Sequence, residues 1–170
     1  SVMVREVPDN AAWQQLLGDA RVRAVCIGPG AGINDRTREA IHAAMQAKTS
    51  LVLDADGLSV LADHAELRSA CGTMVLTPHE GEYTKLAIAM KLDQAAPKTA
   101  RALALAEALN AVVVLKGAKT VIASADGRVV MNHAHAPWLA TAGTGDVLAG
   151  IITGLLAQGI EIFDAACAGV

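Results

Sequence analysis

Four short runs of consecutive apolar residues, each ending abruptly at a glycine, an acid, a threonine or a lysine, constrain this chain more than any other feature. They lie in "RAVCIGPGAG", "LVLDADG", "TMVLTPHEGE" and "AVVVLKGA". A strand with one wet face alternates apolar and polar residues, whereas an unbroken Val/Leu/Ile run needs cover on both faces. Stretches with helical periodicity separate the runs, which predicts an α/β fold with three αβα layers around a mostly parallel, doubly wound sheet. Ligands in such folds bind beyond the C-terminal ends of the strands. Polar loops follow all four runs, at Gly28–Gly32, Asp54–Gly57, Thr77–Glu82 and Lys116–Lys119.

The remaining elements fill in around these runs. Residues 1–7 alternate like a strand, and a short helix is expected over Asn10–Leu17. Asn34 is a candidate N-cap for a helix that turns Ile41, Ala44 and Met45 to one face. Further helices are expected around Tyr83 and Leu86, and over Thr99–Leu109. "TVIASADGRVVMN" reads as a hairpin turning at Asp126-Gly127, added near a sheet edge. A last long helix runs from near Gly145 to about Gln158, with Gly159 as its stop. "EIFDAACAGV" reads as a helix that stops without a cap or a basic last turn. With 170 residues and no internal repeat or linker, one domain is expected over residues 1–170. Both ends look cut, so that domain is expected to be incomplete.

Charge excludes several classes of partner. The net charge of −3 and the absence of a Lys/Arg run leave no footprint for nucleic acid or an anionic membrane. Apolar stretches are interrupted well before spanning length, and no signal peptide is visible, so a cytoplasmic location is expected. Cys26, Cys71 and Cys167 are far apart and odd in number, which fits buried thiols better than a disulfide framework.

The chemistry concentrates in the loops. In "ATAGTGDVLAG" the glycines let a ligand approach the backbone, and the free N–H groups of the next helix start form an anion site. Asp146 either caps that helix or faces the bound molecule. Lys116 in "LKGAKT" is positioned to meet phosphate oxygens or simply ends a strand. "TPHEGE" offers His79 for a substrate hydrogen bond and acids for a hydrated magnesium ion, or else a solvated first turn. "GPGAG" suits close approach to a large ligand or a rigid turn. Asp54 and Asp56 are strand-end polar groups or partners of other site residues. His133 and His135 form an H-x-H pair without a third ligand, and His42 and His64 read as surface residues.

Four motifs in order, "IGPGAG", "LTPHEGE", "LKGAKTVIA" and "ATAGTGDVLAGIITGLLAQG", resemble the ADP/ATP-dependent NAD(P)H-hydrate dehydratases of the ribokinase-like superfamily. The resemblance covers Ala24 to Val170. It implies repair of hydrated NADH and NADPH: a nucleotide, ADP or ATP with Mg2+, phosphorylates the ring hydroxyl, and phosphate elimination restores NAD(P)H. It also implies roles. Asp146 would be the general base and would touch substrate. Lys116, Gly117, Ala118, Lys119 and Thr120, with Gly143, Thr144 and Gly145, would hold the nucleotide. Gly30, Gly32 and His79 would hold the hydrated dinucleotide, and Glu82 is the candidate metal ligand. A homo-oligomer is expected, as is possible fusion to an epimerase domain. One departure stands out: "HAPWLA", containing His135, Ala136 and Trp138, replaces the family's Gly-Asn-Pro-Gly loop.

Three other readings stay open. A small-molecule alcohol kinase of the same superfamily would use the same base and cradle. An NAD-dependent oxidoreductase would use "GPGAG" with Asp54 at the next strand end, although G-x-G-x-G departs from the usual spacing. A non-enzymatic scaffold would bind neither nucleotide nor dinucleotide.

Overall fold

The computed structural model describes residues 4–47, 49–69, 74–133, 138 and 141–170. In chain order the elements are α1 (Asn10–Leu17), β1 (Ala24–Ile27), α2 (Asp35–Gln46), β2 (Ser50–Leu53), α3 (Ala55–Asp63), α4 (Ala65–Ser69) and β3 (Met74–Leu76). Then follow α5 (Glu80–Met90), α6 (Lys98–Leu109), β4 (Val112–Leu115), β5 (Val121–Ser124), β6 (Val129–Met131), α7 (Thr144–Ala157) and α8 (Ile162–Gly169).

The sheet follows sequence order from β1 to β6. β1 to β4 pair in parallel, and β5 and β6 add the antiparallel hairpin at the edge. Successive side chains of a strand point to opposite faces, and two cores result. Leu51, Leu53, Met74, Leu76, Val113 and Leu115 face the side covered by α2, α3, α5 and α6. Val52, Val75, Val112, Val114 and Ile122 face α7 and α8. Helices therefore cover both faces, as the unbroken apolar runs require, while the parallel strands advance in one direction among the described residues.

Local signals explain most element ends. Asn34 Oδ1 accepts from the Thr37 amide and starts α2, and Asp9 does the same for α1 through Ala12. Gly127, with φ of 93°, makes the hairpin turn, and Gly159, with φ of 86°, stops the chain after α7. One expectation needs correcting. Residues 4–7 form no strand, and Val4 is 94% exposed; their alternation finds no neighbouring strand to pair with. α8 starts on the Glu161 carboxylate, which accepts from the Phe163 and Asp164 amides, and its last turn carries no basic residue, as expected. Cys26 and Cys167 are free and half-buried, with burial pushing both thiols up; Cys71 lies outside the described residues. No helix of the described residues is long and apolar enough to cross a membrane.

Candidate active site

The C-terminal ends of β1 to β4 and the start of α7 surround the site. A cavity of about 620 Å³ is bounded by Asp54 and Ala55 after β2, His79 to Glu82 after β3, Lys116 and Gly117 after β4, and Gly143 to Asp146. A second cavity of about 500 Å³ lies between α1, the end of β1, α2 and α7, with Trp13, Ile27, Pro29 and Ala40 among its walls. Asp146 borders both cavities.

Asp146 is exposed in the first turn of α7 and is not folded into the apolar interior. Gly143, the N-cap, adopts φ of 88°, a left-handed value that disfavours any side chain, and supplies no capping group of its own. The first-turn amides of a helix have no acceptor inside it, and Gly145 and Asp146, both in that turn, line the cavity. A negative oxygen placed there would also meet the positive end of the helix dipole.

Lys116 is held from below. Its Nζ donates to Asp54 Oδ1 at 2.7 Å, and Thr77 Oγ1 donates to the same oxygen at 2.7 Å. Asp54 is only 2% exposed. A Cβ on Gly145 would lie 3.3 Å from Lys116 Nζ, so the ammonium packs directly under the first turn of α7. The two acids of "DADG" thus separate into distinct tasks: Asp54 anchors Lys116, while Asp56 Oδ2 accepts from the Gly32 amide at 2.9 Å and ties down the glycine loop. Gly28 enables that closeness, since a Cβ there would sit 1.7 Å from the Asp54 carbonyl oxygen. An Asp54 carboxylate bonded to Lys116 and Thr77 is not free to hold a ribose, and α2 starts only at Asp35; both facts weigh against the oxidoreductase reading.

His79 and Glu82 are engaged with each other. His79 Nδ1 accepts from the Gly81 and Glu82 amides, and Glu82 Oε2 accepts from the His79 amide at 2.8 Å, forming a reciprocal capping box. In the neutral ring the proton then sits on Nε2, which lies 3.5 Å from Glu82 Oε1. Glu82, the candidate metal ligand, has a side chain 12% exposed. Among the described residues no group of three or more His, Cys, Asp or Glu side chains is placed to hold a metal ion.

The other assigned residues scatter. Gly117 lines the cavity, but Ala118 and Lys119 lie exposed in the β4–β5 turn, and Thr120 Oγ1 turns back to the Gly117 carbonyl. Gly30 and Gly32 flank the residues that border the smaller cavity, Gly28, Pro29 and Ala31. His135 and Ala136 lie outside the described residues; Trp138 is 74% exposed.

Sequence reading missed a cation pair on the rim. Lys98 Nζ donates to the Lys116 carbonyl at 2.9 Å and lies 3.1 Å from Glu80, and Arg101 pairs with Glu80 at 2.8 Å. Burial alone would raise the Glu80 carboxyl, but bonds from Arg101 and Lys98 outweigh it and hold the group below the ordinary carboxylate range. Glu80 is thereby tied to these cations at the border of the cavity.

A six-stranded mixed sheet with helices on both faces, ordered in this way, places the protein among those with the ribokinase-like fold. The ADP/ATP-dependent NAD(P)H-hydrate dehydratase of Bacillus subtilis, crystallised with ATP and Mg2+, superposes with a TM-score of 0.74 at 28% identity, covering 93% of this chain and 57% of that one. The family model described as NAD(P)H-hydrate dehydratase matches residues 1–170, and the chain belongs to that family. A bifunctional NAD(P)H-hydrate repair enzyme of Mycobacterium tuberculosis is 44% identical over 163 residues, which is 92% of this chain and 34% of that protein. The ADP-dependent (S)-NAD(P)H-hydrate dehydratase of Neisseria meningitidis is 45% identical over 122 residues, 70% of this chain and 41% of that protein. The chain thus spans well under half the length of these curated relatives.

Proposed function

We propose that this chain carries the phosphoryl-transfer site of a nucleotide-dependent NAD(P)H-hydrate dehydratase. The observation that carries the reading is the position of Asp146, exposed in the first turn of α7, bordering two cavities, one of which it shares with Lys116. The terminal phosphoryl group of ADP or ATP rests against the first-turn amides of α7 and Lys116. Asp146 accepts the proton as the ring hydroxyl of the hydrate attacks phosphorus and the nucleotide leaves. The phosphorylated ring then expels phosphate from one carbon, gives up a proton from the neighbouring carbon to water, and regains its double bond. Fixed donors aimed at the transferring group supply most of the help in such chemistry, and a carboxylate is a modest base that acts mainly by position.

Family membership and the nucleotide named for the Bacillus and Neisseria relatives support ADP or ATP as donor. The glycine loop after β1 and His79 Nε2 are the candidate contacts for the dinucleotide, one at each cavity. Magnesium has no protein cage among the described residues; a hard cation that keeps its waters and travels on nucleotide phosphates needs none, and we assign it no step.

The test is recovery of dihydronicotinamide absorbance from hydrated NADH with ADP or ATP and magnesium, using protein shown to be folded. No recovery with either nucleotide overturns the reading. A stable phosphorylated product in place of NADH indicates an alcohol kinase. Asp146→Asn is expected to reduce turnover by roughly 10²–10⁴-fold, with ADP affinity nearly unchanged; retained turnover would make Asp146 a cap.

A further inference from the structure

Asp54 stands at the N-cap of α3, the position where an aspartate ordinarily binds the helix's own first amides. It makes no such bond. The next residue, Ala55, adopts φ of 46°, a left-handed value that a side chain resists. The carboxylate is also almost fully buried. The corner therefore forgoes a cap, strains its backbone and desolvates a charge, and departures from local preference of this kind concentrate at working sites.

What the corner gains is control of one ammonium group. A lysine side chain has four rotatable carbons, and an untethered Lys116 would range through the cavity. Asp54 Oδ1 fixes Nζ at 2.7 Å, and Thr77, itself fully buried, fixes that oxygen at the same distance. Nζ is thereby held under Gly145, where the α7 amides end; Asp54 Oδ2 lies 3.7 Å from the position a Gly145 Cβ would take.

We propose that Asp54 is a positioning residue for phosphoryl transfer, acting through Lys116 and steadied by Thr77. This rests on the phosphoryl-transfer reading above. Asp54 touches the ammonium and not the substrate, so its effect is on where the positive charge sits when the phosphoryl group moves. The carboxylate also offsets one charge beside the nucleotide, so its removal should not weaken nucleotide binding.

A double-mutant cycle on the intact chain tests this, with ADP affinity read by calorimetry and turnover of hydrated NADH read separately. Asp54→Asn is expected to lower kcat by about 100-fold, the scale of a misplaced catalytic contact, with ADP affinity equal or up to about three-fold tighter. In a Lys116→Met background the same substitution should change kcat less than about two-fold, because the group it positions is gone. Thr77→Val keeps the charge pair and serves if Asp54→Asn fails to fold; it should lower kcat by about ten-fold and also lose its effect beside Lys116→Met. Equal fold-losses in both backgrounds, or weakened ADP binding with kcat intact, overturn the positioning role alone. A folded wild-type chain that neither binds ADP nor turns over the hydrate overturns the phosphoryl-transfer reading, and the role of Asp54 falls with it.

Discussion

The corners that follow β2 and β3 carry polar residues at matching positions and use them in opposite ways. At the first, Asp54 turns from its own helix to Lys116 and Thr77. At the second, His79 and Glu82 close a complete capping box, and Glu80 pairs with Lys98 and Arg101. Both corners border the same cavity. The difference shows where function would be taken from stability: α5 keeps a reciprocal capping box, while the N-cap carboxylate of α3 is spent on Lys116.

Substitutions that treat both corners alike should break the comparison if it is wrong. Asp54→Ser supplies a good N-cap residue but no partner for Lys116. It should still cost about 2–3 kcal/mol, since it leaves a half-buried ammonium unpaired, and denaturant unfolding measures this. A cost no larger than a few tenths would mean that capping was the job of Asp54 after all. At the second corner His79→Ala should lose about 1 kcal/mol, while His79→Ser should restore nearly all of it. If Ser fails there, the ring does more for the fold than cap it.

Two smaller effects sharpen the contrast. In Gly145→Ala, a gain in helix propensity of up to ~1 kcal/mol opposes crowding of Lys116 Nζ at 3.3 Å, so stability should stay within about 0.5 kcal/mol. ADP affinity in that variant should fall several-fold, measured by calorimetry. The acid limit of stability should involve the second corner. Glu80 is held below its ordinary value of 4.5, so its contribution is complete above that value and is lost as pH falls through the lowered one. Unfolding midpoints recorded across the acid range should therefore decline less in Glu80→Gln than in the wild type.

The sheet was legible because its signals are local. Unbroken runs such as "VVVL", the Asp126-Gly127 turn, Asn34 before α2 and Gly159 after α7 each carry their meaning within a few residues. Residues 4–7 misled because alternation is only half of a strand; the other half is a neighbour. Glu161 escaped notice as a cap because glutamate rarely serves as one. The site divides in the same way. Asp146 and its glycines could be read from adjacent positions, whereas Lys116 and Asp54 are 62 residues apart and meet only through strand register. Lys98 and Arg101 were invisible for the same reason, being a helix start that reaches Glu80 across the sheet's rim. For Ala118 and Lys119 the family motif names a longer stretch than the cavity touches here.

Asp146 forms part of the partition between two compartments. A group that touches both rooms is best placed to act when both are tenanted, which favours direct handover within a ternary complex over any phosphorylated form of the protein. Initial-rate lines obtained by varying one reactant at several fixed levels of the other should then converge, and labelled phosphate should never remain on the polypeptide.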